Sequence, residues 1–480
     1  MAAVPFAVQS YRHDSLPISA QRTLNLYAEK QVQGAKTQVS LHGDPGITTF
    51  ATAGEGPIRG FHMLGGLLYA QSGGWLYSIT NAATPVATQL GGQVSGTGVV
   101  SIADNGEELM IANGANGYIY DTTSGFRLIT DTDFVAGNTT AYHSGRFVAD
   151  QASTNQFAVS DSLDGSSWGA LAFATKEAKS DNLLAVLNIK EVLHLLGVGS
   201  SELWAYTGAA NVPFGRLPGG TLDKGVLAAY ATAQEDEAMF MVGSDRMAHK
   251  VSGAQLQRVS QHAIETTWQG YTSVSDCFGL AYPWRGHKFV VFTFPSEEVG
   301  LGDTSSWALD LSTGLWHEKL SYDLNGTPLG RWRGNCAIEA YGKVLIGDSQ
   351  SGKIGYLDGT VFTEFGDPTY ARAVSPPYSA GEKRLFTSRF GLDIEAGVGL
   401  SSGQGSDPQV MLDISDDGGR TFGPLQPWAS MGAQGANKTR VKWDRLGSTE
   451  PGGTRVFGIT ISDPVKRTIL GAFADMKPGM

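Results

Sequence analysis

A run of apolar residues, a small turn of Gly, Ser, Asn or Asp, and a second short run ending in an aromatic residue or Asp recurs along this chain. It reads LLYAQSGGWLYSI from Leu67, ELMIANGANGYIYD from Glu108, and RFVAD followed by QFAVSD from Arg146. It returns as LHLLGVGSSELWAY from Leu193, AMFMVGSDRMAHKV from Ala238, KFVVFTF followed by SSWALDLSTGLW from Lys288, and KVLIGDSQSGKIGYLDG from Lys343. Period-two alternation on both sides of a turn that tolerates positive φ predicts a β-hairpin. The seven starts lie 41, 38, 47, 45, 50 and 55 residues apart. That spacing predicts an all-β fold built on a β-propeller of about seven blades, at roughly 40–50 residues each. A β-sandwich assembly with irregular hairpins is the competing architecture.

The texture changes after the last hairpin. Residues 370–384, YARAVSPPYSAGEKR, are rich in Pro, Gly and charge and mark a domain boundary. Beyond it RFGLDIEAGVGL, PQVMLDISDDGG, TRVKWDRLG and RVFGITIS read as strands, which predicts a small C-terminal β-sandwich, jelly-roll-like, over residues 371–480. The first 45 residues are neither periodic nor of low complexity. They read as an N-terminal extended arm leading into the turn at Pro45 and Gly46, with the propeller over residues 46–370. An unanchored arm of that length would be floppy, so it is expected to dock on a neighbouring subunit. Helix is scarce: AIETTWQGY places Ile264, Trp268 and Tyr271 at i, i+4 and i+7, enough for one or two turns.

Composition supports the strand-rich reading. Glycine makes up 63 of 480 residues and charged residues only 17%, poor material for helices, in which each glycine costs roughly 1 kcal/mol. The 10 Trp, 16 Tyr and 21 Phe supply the bulk of a real core. Cys277 and Cys336 lie far apart without metal-ligand spacing, which fits a reducing compartment. The first residues lack the basic and apolar regions of a secretory signal, and the apolar run 183–199 is broken by Lys190, Glu191 and His194, so no membrane span is expected. Charge is uneven. Residues 1–40 carry four basic and two acidic side chains, residues 371–480 carry 13 and 11, and the body between them 18 and 33. A body this acidic is not a grip for nucleic acid, which needs a basic patch.

The motifs that could carry chemistry fail on context. GDSQSGK, Gly347–Lys353, has the spacing of a phosphate-binding loop, but Ile354 stands where Ser or Thr should hold magnesium, and a strand follows. GSSWG, Gly165–Gly169, matches a nucleophile elbow around Ser167 without the strand-to-helix turn such an elbow needs. SDDGGRTF, Ser415–Phe422, has the spacing of an Asp box, and SDSLDGSSW, Ser160–Trp168, is a looser version; the Asp caps turn amides, a structural role. Asp boxes recur in sialidases, but glycoside hydrolysis needs two facing carboxylates, and Glu235/Glu237 and Glu297/Glu298 read as solvated turn charges. The NxT matches at Asn138, Asn325 and Asn437 matter only in a secreted eukaryotic protein. No catalytic, cofactor-binding or metal-ligating residue is therefore assigned, and no cofactor is expected.

Specific strings then accumulate. NLYAE (Asn25–Glu29), DPGITTF (Asp44–Phe50) and KSDNLLAVLNIKEVLHLLGVGSSELWAYTGAANVPF (Lys179–Phe214) resemble the packaged-DNA stabilisation proteins, the tail hubs of short-tailed bacteriophages. RVSQHAIE (Arg258–Glu265), SSWALDLSTGLWHEK (Ser305–Lys319), DPQVMLDISDDGGRTFGP (Asp407–Pro424) and TRVKWDRLG (Thr439–Gly447) continue the resemblance in order. It implies a non-enzymatic structural protein of the virion tail, assembled in the host cytoplasm. It further implies a hexameric ring beneath the portal and its adaptor that helps to retain packaged DNA. The implied partners are other copies of the chain, the portal/adaptor connector, tailspikes or tail fibres and a plug or needle. Double-stranded DNA would pass through the ring without sequence-specific binding; the acidic body either turns toward it and lets the duplex slide or faces outward and keeps the protein soluble. The alternative is a sialidase-like glycan-processing propeller, or a glycan-binding one.

Overall fold

The computed structural model of the chain describes residues 2–4, 6 and 8–479. Four-stranded antiparallel meanders follow one another at residues 58–91, 101–128, 140–175, 183–222, 232–258 and 278–319. A seventh takes three strands from residues 334–358 and its outer strand from Gly46–Thr52, with Lys353 opposite Thr52 and Asp358 opposite Gly46. First strands of neighbouring meanders pack side by side, and Gly334–Ala340 of the seventh returns to Ile58–Leu64 of the first, closing a ring. The fold is a β-propeller sealed by a strand from near the N-terminus.

The hairpins visible in the sequence are the second and third strands of each blade. Those strands have neighbours on both sheet faces, so their apolar runs are nearly continuous: Leu109–Ala112 and Ala238–Val242 are buried at every position. Blades interlock through these faces. Tyr69 and Leu76 of the first blade pack on Leu109 and Ile111 of the second, whose Met110 and Ile119 meet Phe147 and Trp168 of the third. In every blade but the second, first and second strands are joined by two-residue turns with both residues at positive φ, as at Lys190–Glu191 and Asp236–Glu237. That geometry matches the twist of the hairpin, and bulky charged residues hold it only because packed strands impose it on both sides. The helix, His262–Gly270, links the fifth and sixth blades and buries Ile264 and Trp268, the latter against Phe292, Phe294 and Trp316.

A β-sandwich lies against the sixth and seventh blades. One of its sheets contains Ala371–Val374, Thr454–Ile461 and Gln409–Ser415; the other contains Leu385–Ile394, Thr468–Pro478 and Val441–Asp444. Phe390, Leu412, Trp443, Phe457 and Ile459 fill the space between them.

The N-terminal segment, expected as an extended arm, contributes five short strands and folds on its own chain; Met1, Pro5 and Ala7 lie outside the described residues. Leu26–Lys30 and Val39–Gly43 form a hairpin whose second strand pairs with Thr468–Pro478. Ala20–Leu24 lies between Leu315–Lys319 of the sixth blade and Ala371–Val374 of the sandwich, so a single sheet runs from one domain into the other. The cause is apolar burial: Leu24, Leu26, Tyr27, Ala28 and Leu41 are all in the interior.

Candidate interaction surfaces and the propeller–sandwich seam

The sequence motifs resolve into turns and strands. Residues 347–353 form a turn between two strands of the seventh blade, where Asp348 is locked by a two-pronged contact with Arg333 (2.9 Å on both sides). Ser167 sits in the strand Asp164–Thr175 and donates to Asp161 at 2.7 Å. In the Asp box, the Asp417 carboxylate accepts from Ser415 Oγ and from the amides of Arg420 and Thr421. Burial works against that charge, yet these bonds hold the carboxyl well below the usual carboxylate range. The turn lies in the sandwich, pressed on the N-terminal segment: a side chain at Gly419 would strike Ala20.

Of the carboxylates weighed for glycan chemistry, Glu235, Glu237 and Glu297 are bound into ion pairs and turns and Glu298 is exposed. Glu237 pairs with Lys190, Glu235 and Asp236 with Lys288, stitching the fourth, fifth and sixth blades along the face where their first hairpins emerge. Glu297 accepts the amides of Thr272 and Ser273. The axis of the propeller holds a cavity of about 360 Å³ lined by inner strands, including Arg59, Thr139, Tyr230 and Asn335. Arg59 spends its donors on the carbonyls of Gly73, Val94, Ser95 and Gly98. A cavity of that size does not admit a DNA duplex.

The most highly charged interior lies at the seam between propeller and sandwich, a region the motifs do not touch. Lys319 of the sixth blade reaches Asp44 at 2.6 Å, and Lys319 keeps this carboxyl ionised far below its ordinary range against the cost of burial. His287 bonds Asp310 at 2.8 Å, which raises its pKa. His42, two residues before Asp44, stacks on Tyr27 and has its pKa lowered by burial. Arg467 crosses from the sandwich to Thr369, and burial brings its pKa down to about 10. No sequence signal marks this seam, because its residues come from four separated stretches of chain.

The molecule is of the propeller-plus-sandwich class, with most of the side chains weighed for chemistry engaged in packing, turns and inter-blade pairs. Comparison with known families gives that class a lineage. The β-propeller model of the phage-stabilisation family, described as bacteriophage P22 Gp10, matches residues 10–362, and the β-sandwich model of the same Gp10 matches residues 373–477. The chain belongs to the bacteriophage P22 Gp10 family, a family of phage structural proteins. No curated protein matches it. Among solved structures, the WD40 β-propeller domain of Doa1 is similar at 11% identity over 65% of this chain and 97% of that one, with a TM-score of 0.39. The extracellular domain of a hybrid two-component system protein from B. thetaiotaomicron is similar at 10% identity over 85% of this chain and 56% of that one, with a TM-score of 0.44. These overlaps are too loose to carry an argument.

Proposed function

We propose that the chain is the tail hub of a short-tailed phage: a non-enzymatic ring component that assembles below the portal and adaptor after packaging and helps to retain the DNA. The observation that carries this reading is the match of both domains, in order, to Gp10. In this reading six copies form the ring, and their outer surfaces offer attachment to tailspikes or fibres and to a plug. The duplex runs through the assembled ring rather than along the propeller axis, whose cavity is too small for it. The acidic surplus of residues 41–370, 33 carboxylates against 18 basic groups, faces that path and keeps the duplex from sticking.

Electron microscopy of the purified chain mixed with its portal–adaptor complex tests the proposal. A ring capping the adaptor is expected; a monomer that never joins the complex overturns it. The glycan-processing alternative has no observation in its favour, since Glu235 and Glu237 are committed to Lys288 and Lys190.

A further inference from the structure

Three deeply buried arginines invite comparison. Arg333 holds Asp348 and Arg455 holds Asp416, each through two nitrogens. Arg467, 2% exposed, has no such partner. Its terminal nitrogens bond Thr369 Oγ1 at 3.0 Å, the Thr369 carbonyl at 2.6 Å and the Asp463 carbonyl at 3.0 Å, all neutral oxygens. Among the described residues no carboxylate comes within ion-pair reach of it, and its Nε has no protein acceptor. The neighbouring Thr468 hydroxyl, 7% exposed, is also without a protein partner. A buried cation with no carboxylate in contact is costly, the charges of Asp463 and Asp44 reaching it only from beyond ion-pair distance, and the next residue in the chain adds a second idle donor.

Both residues line a cavity of about 30 Å³, together with Tyr27, His42, Trp284 and Arg285. A space of that order has room for one or two waters or the oxygens of a compact anion, and none for an organic molecule. It adjoins a cleft of about 420 Å³ that shares Trp284, Arg285 and Gly359 with it and adds Lys343. Arg285 lies over the Trp284 ring at 5.2 Å and Lys343 over the Tyr356 ring at 3.9 Å. Neither cation has an ion-pair partner among the described residues. Gly359 leaves the room that the Arg285 guanidinium occupies, since a Cβ there would fall 2.2 Å from its Nη2. Of the nearby carboxylates, Glu395 pairs with Lys466 and Asp44 with Lys319, while Asp358 accepts from Thr360 and Thr48 and Glu29 faces His42 at 3.5 Å.

We propose that this seam is an oxyanion site for phosphate, with Arg467 Nε and Thr468 Oγ1 as inner donors and Arg285 and Lys343 at its entrance. The same chemistry serves a free phosphate ion or a phosphate of the DNA backbone, and the size of the inner cavity favours the free ion. A bound anion would tie the sixth blade, the N-terminal hairpin and the sandwich together, because each contributes part of the lining.

The test is thermal unfolding of the full chain in inorganic phosphate, at ionic strength held constant with sodium chloride. A hundredfold excess over the dissociation constant should raise Tm by roughly 2–5 °C. Thr468→Val, which keeps the side chain's shape, should weaken phosphate binding roughly 10–150-fold, the loss of one hydrogen bond to a charged group. Arg285→Ala at the exposed entrance should weaken it at least threefold, and Lys190→Ala, remote from the seam, should leave it unchanged. A short DNA duplex that reproduces the stabilisation identifies the backbone as the source, and one without effect identifies the free ion. Equal Tm in phosphate and chloride, or a Thr468→Val protein that responds like the parent, overturns the site and leaves water as the partner of Arg467.

Discussion

The two sides of the propeller treat their outer strands in opposite ways. On the sixth and seventh blades the edges are covered: Leu315–Lys319 pairs with Ala20–Leu24, and Gly46–Thr52 pairs with Thr363–Glu364. On the third and fourth blades the edges are open, and both bulge at the same place. Residues 169–172 stand opposite Val159 alone, because Ser160 pairs with Trp168 and Ala158 with Phe173. Residues 217–220 stand opposite Leu203 alone, between the pairs Trp204–Arg216 and Glu202–Thr221. An unpaired edge is a template for adventitious strand addition, and a bulge bends it out of register. On these four blades an edge either gains a partner or has its geometry spoiled; the outer strands of the second and fifth, Gly125–Leu128 and Gln255–Arg258, are regular but only four residues long.

The largest expected effect comes from stripping the covered side. Deleting residues 1–45 removes three strands of one sandwich sheet, Ala2–Val4, Leu26–Lys30 and Val39–Gly43, and the strand that bridges the sandwich to the sixth blade. The truncated chain should lose its cooperative melt and most of its soluble yield; a truncated protein that melts like the parent would show that the covered edges need no cover. Next, Arg333→Met leaves Asp348 buried without its partner on that same side and should cost about 3–5 kcal/mol in denaturant titrations.

On the open side the third blade supplies a pH-dependent effect. Asp150 is fully buried, and burial lifts its pKa to about 6 although Asn138 and Thr139 donate to it. A carboxyl raised in the folded state adds stability that is complete below its ordinary value near 4 and is lost as pH rises through 6. Over that window the parent should lose roughly 3 kcal/mol relative to Asp150→Asn, because each tenfold difference in proton affinity between folded and unfolded chain is worth about 1.4 kcal/mol. Urea midpoints from pH 4 to 7 for both proteins measure the difference. The smallest effect belongs to the bulge itself. Leu171, 72% exposed, changed to Lys should alter stability by less than about 0.5 kcal/mol while lowering concentration-dependent association in sedimentation runs.

Legibility in the sequence follows burial. Middle strands announce themselves, because burial on both faces writes a run such as AMFMV into the chain. The inner strands do not: Ile58–Leu64 and Gly334–Ala340 are only partly buried around the axis and lack clean alternation. The N-terminal strands are equally quiet. Val39–Gly43 is five residues long, and beyond its hairpin partner Leu26–Lys30 the strand that ties it into the sheet begins only at Thr468. The Asp-box turn is readable because Ser415, Asp417 and Thr421 bond within one short segment. The seam is not, since Tyr27, Arg285 and Arg467 meet only after the chain has folded, and each alone looks like an ordinary surface residue.

The closure of the propeller by Gly46–Thr52 has a consequence for the order in which the protein can be made. That strand leaves the ribosome early, but the edge it completes, Lys353–Asp358, is synthesised about 300 residues later, a delay of roughly 15–60 s at 5–20 residues per second. The hairpin of residues 26–43 waits longer still for Thr468–Pro478. Neither domain can finish on the nascent chain before its distant half arrives, so the early strands must be kept from other partners throughout translation. A hub of this design is sensitive to how fast, and in what company, it is synthesised.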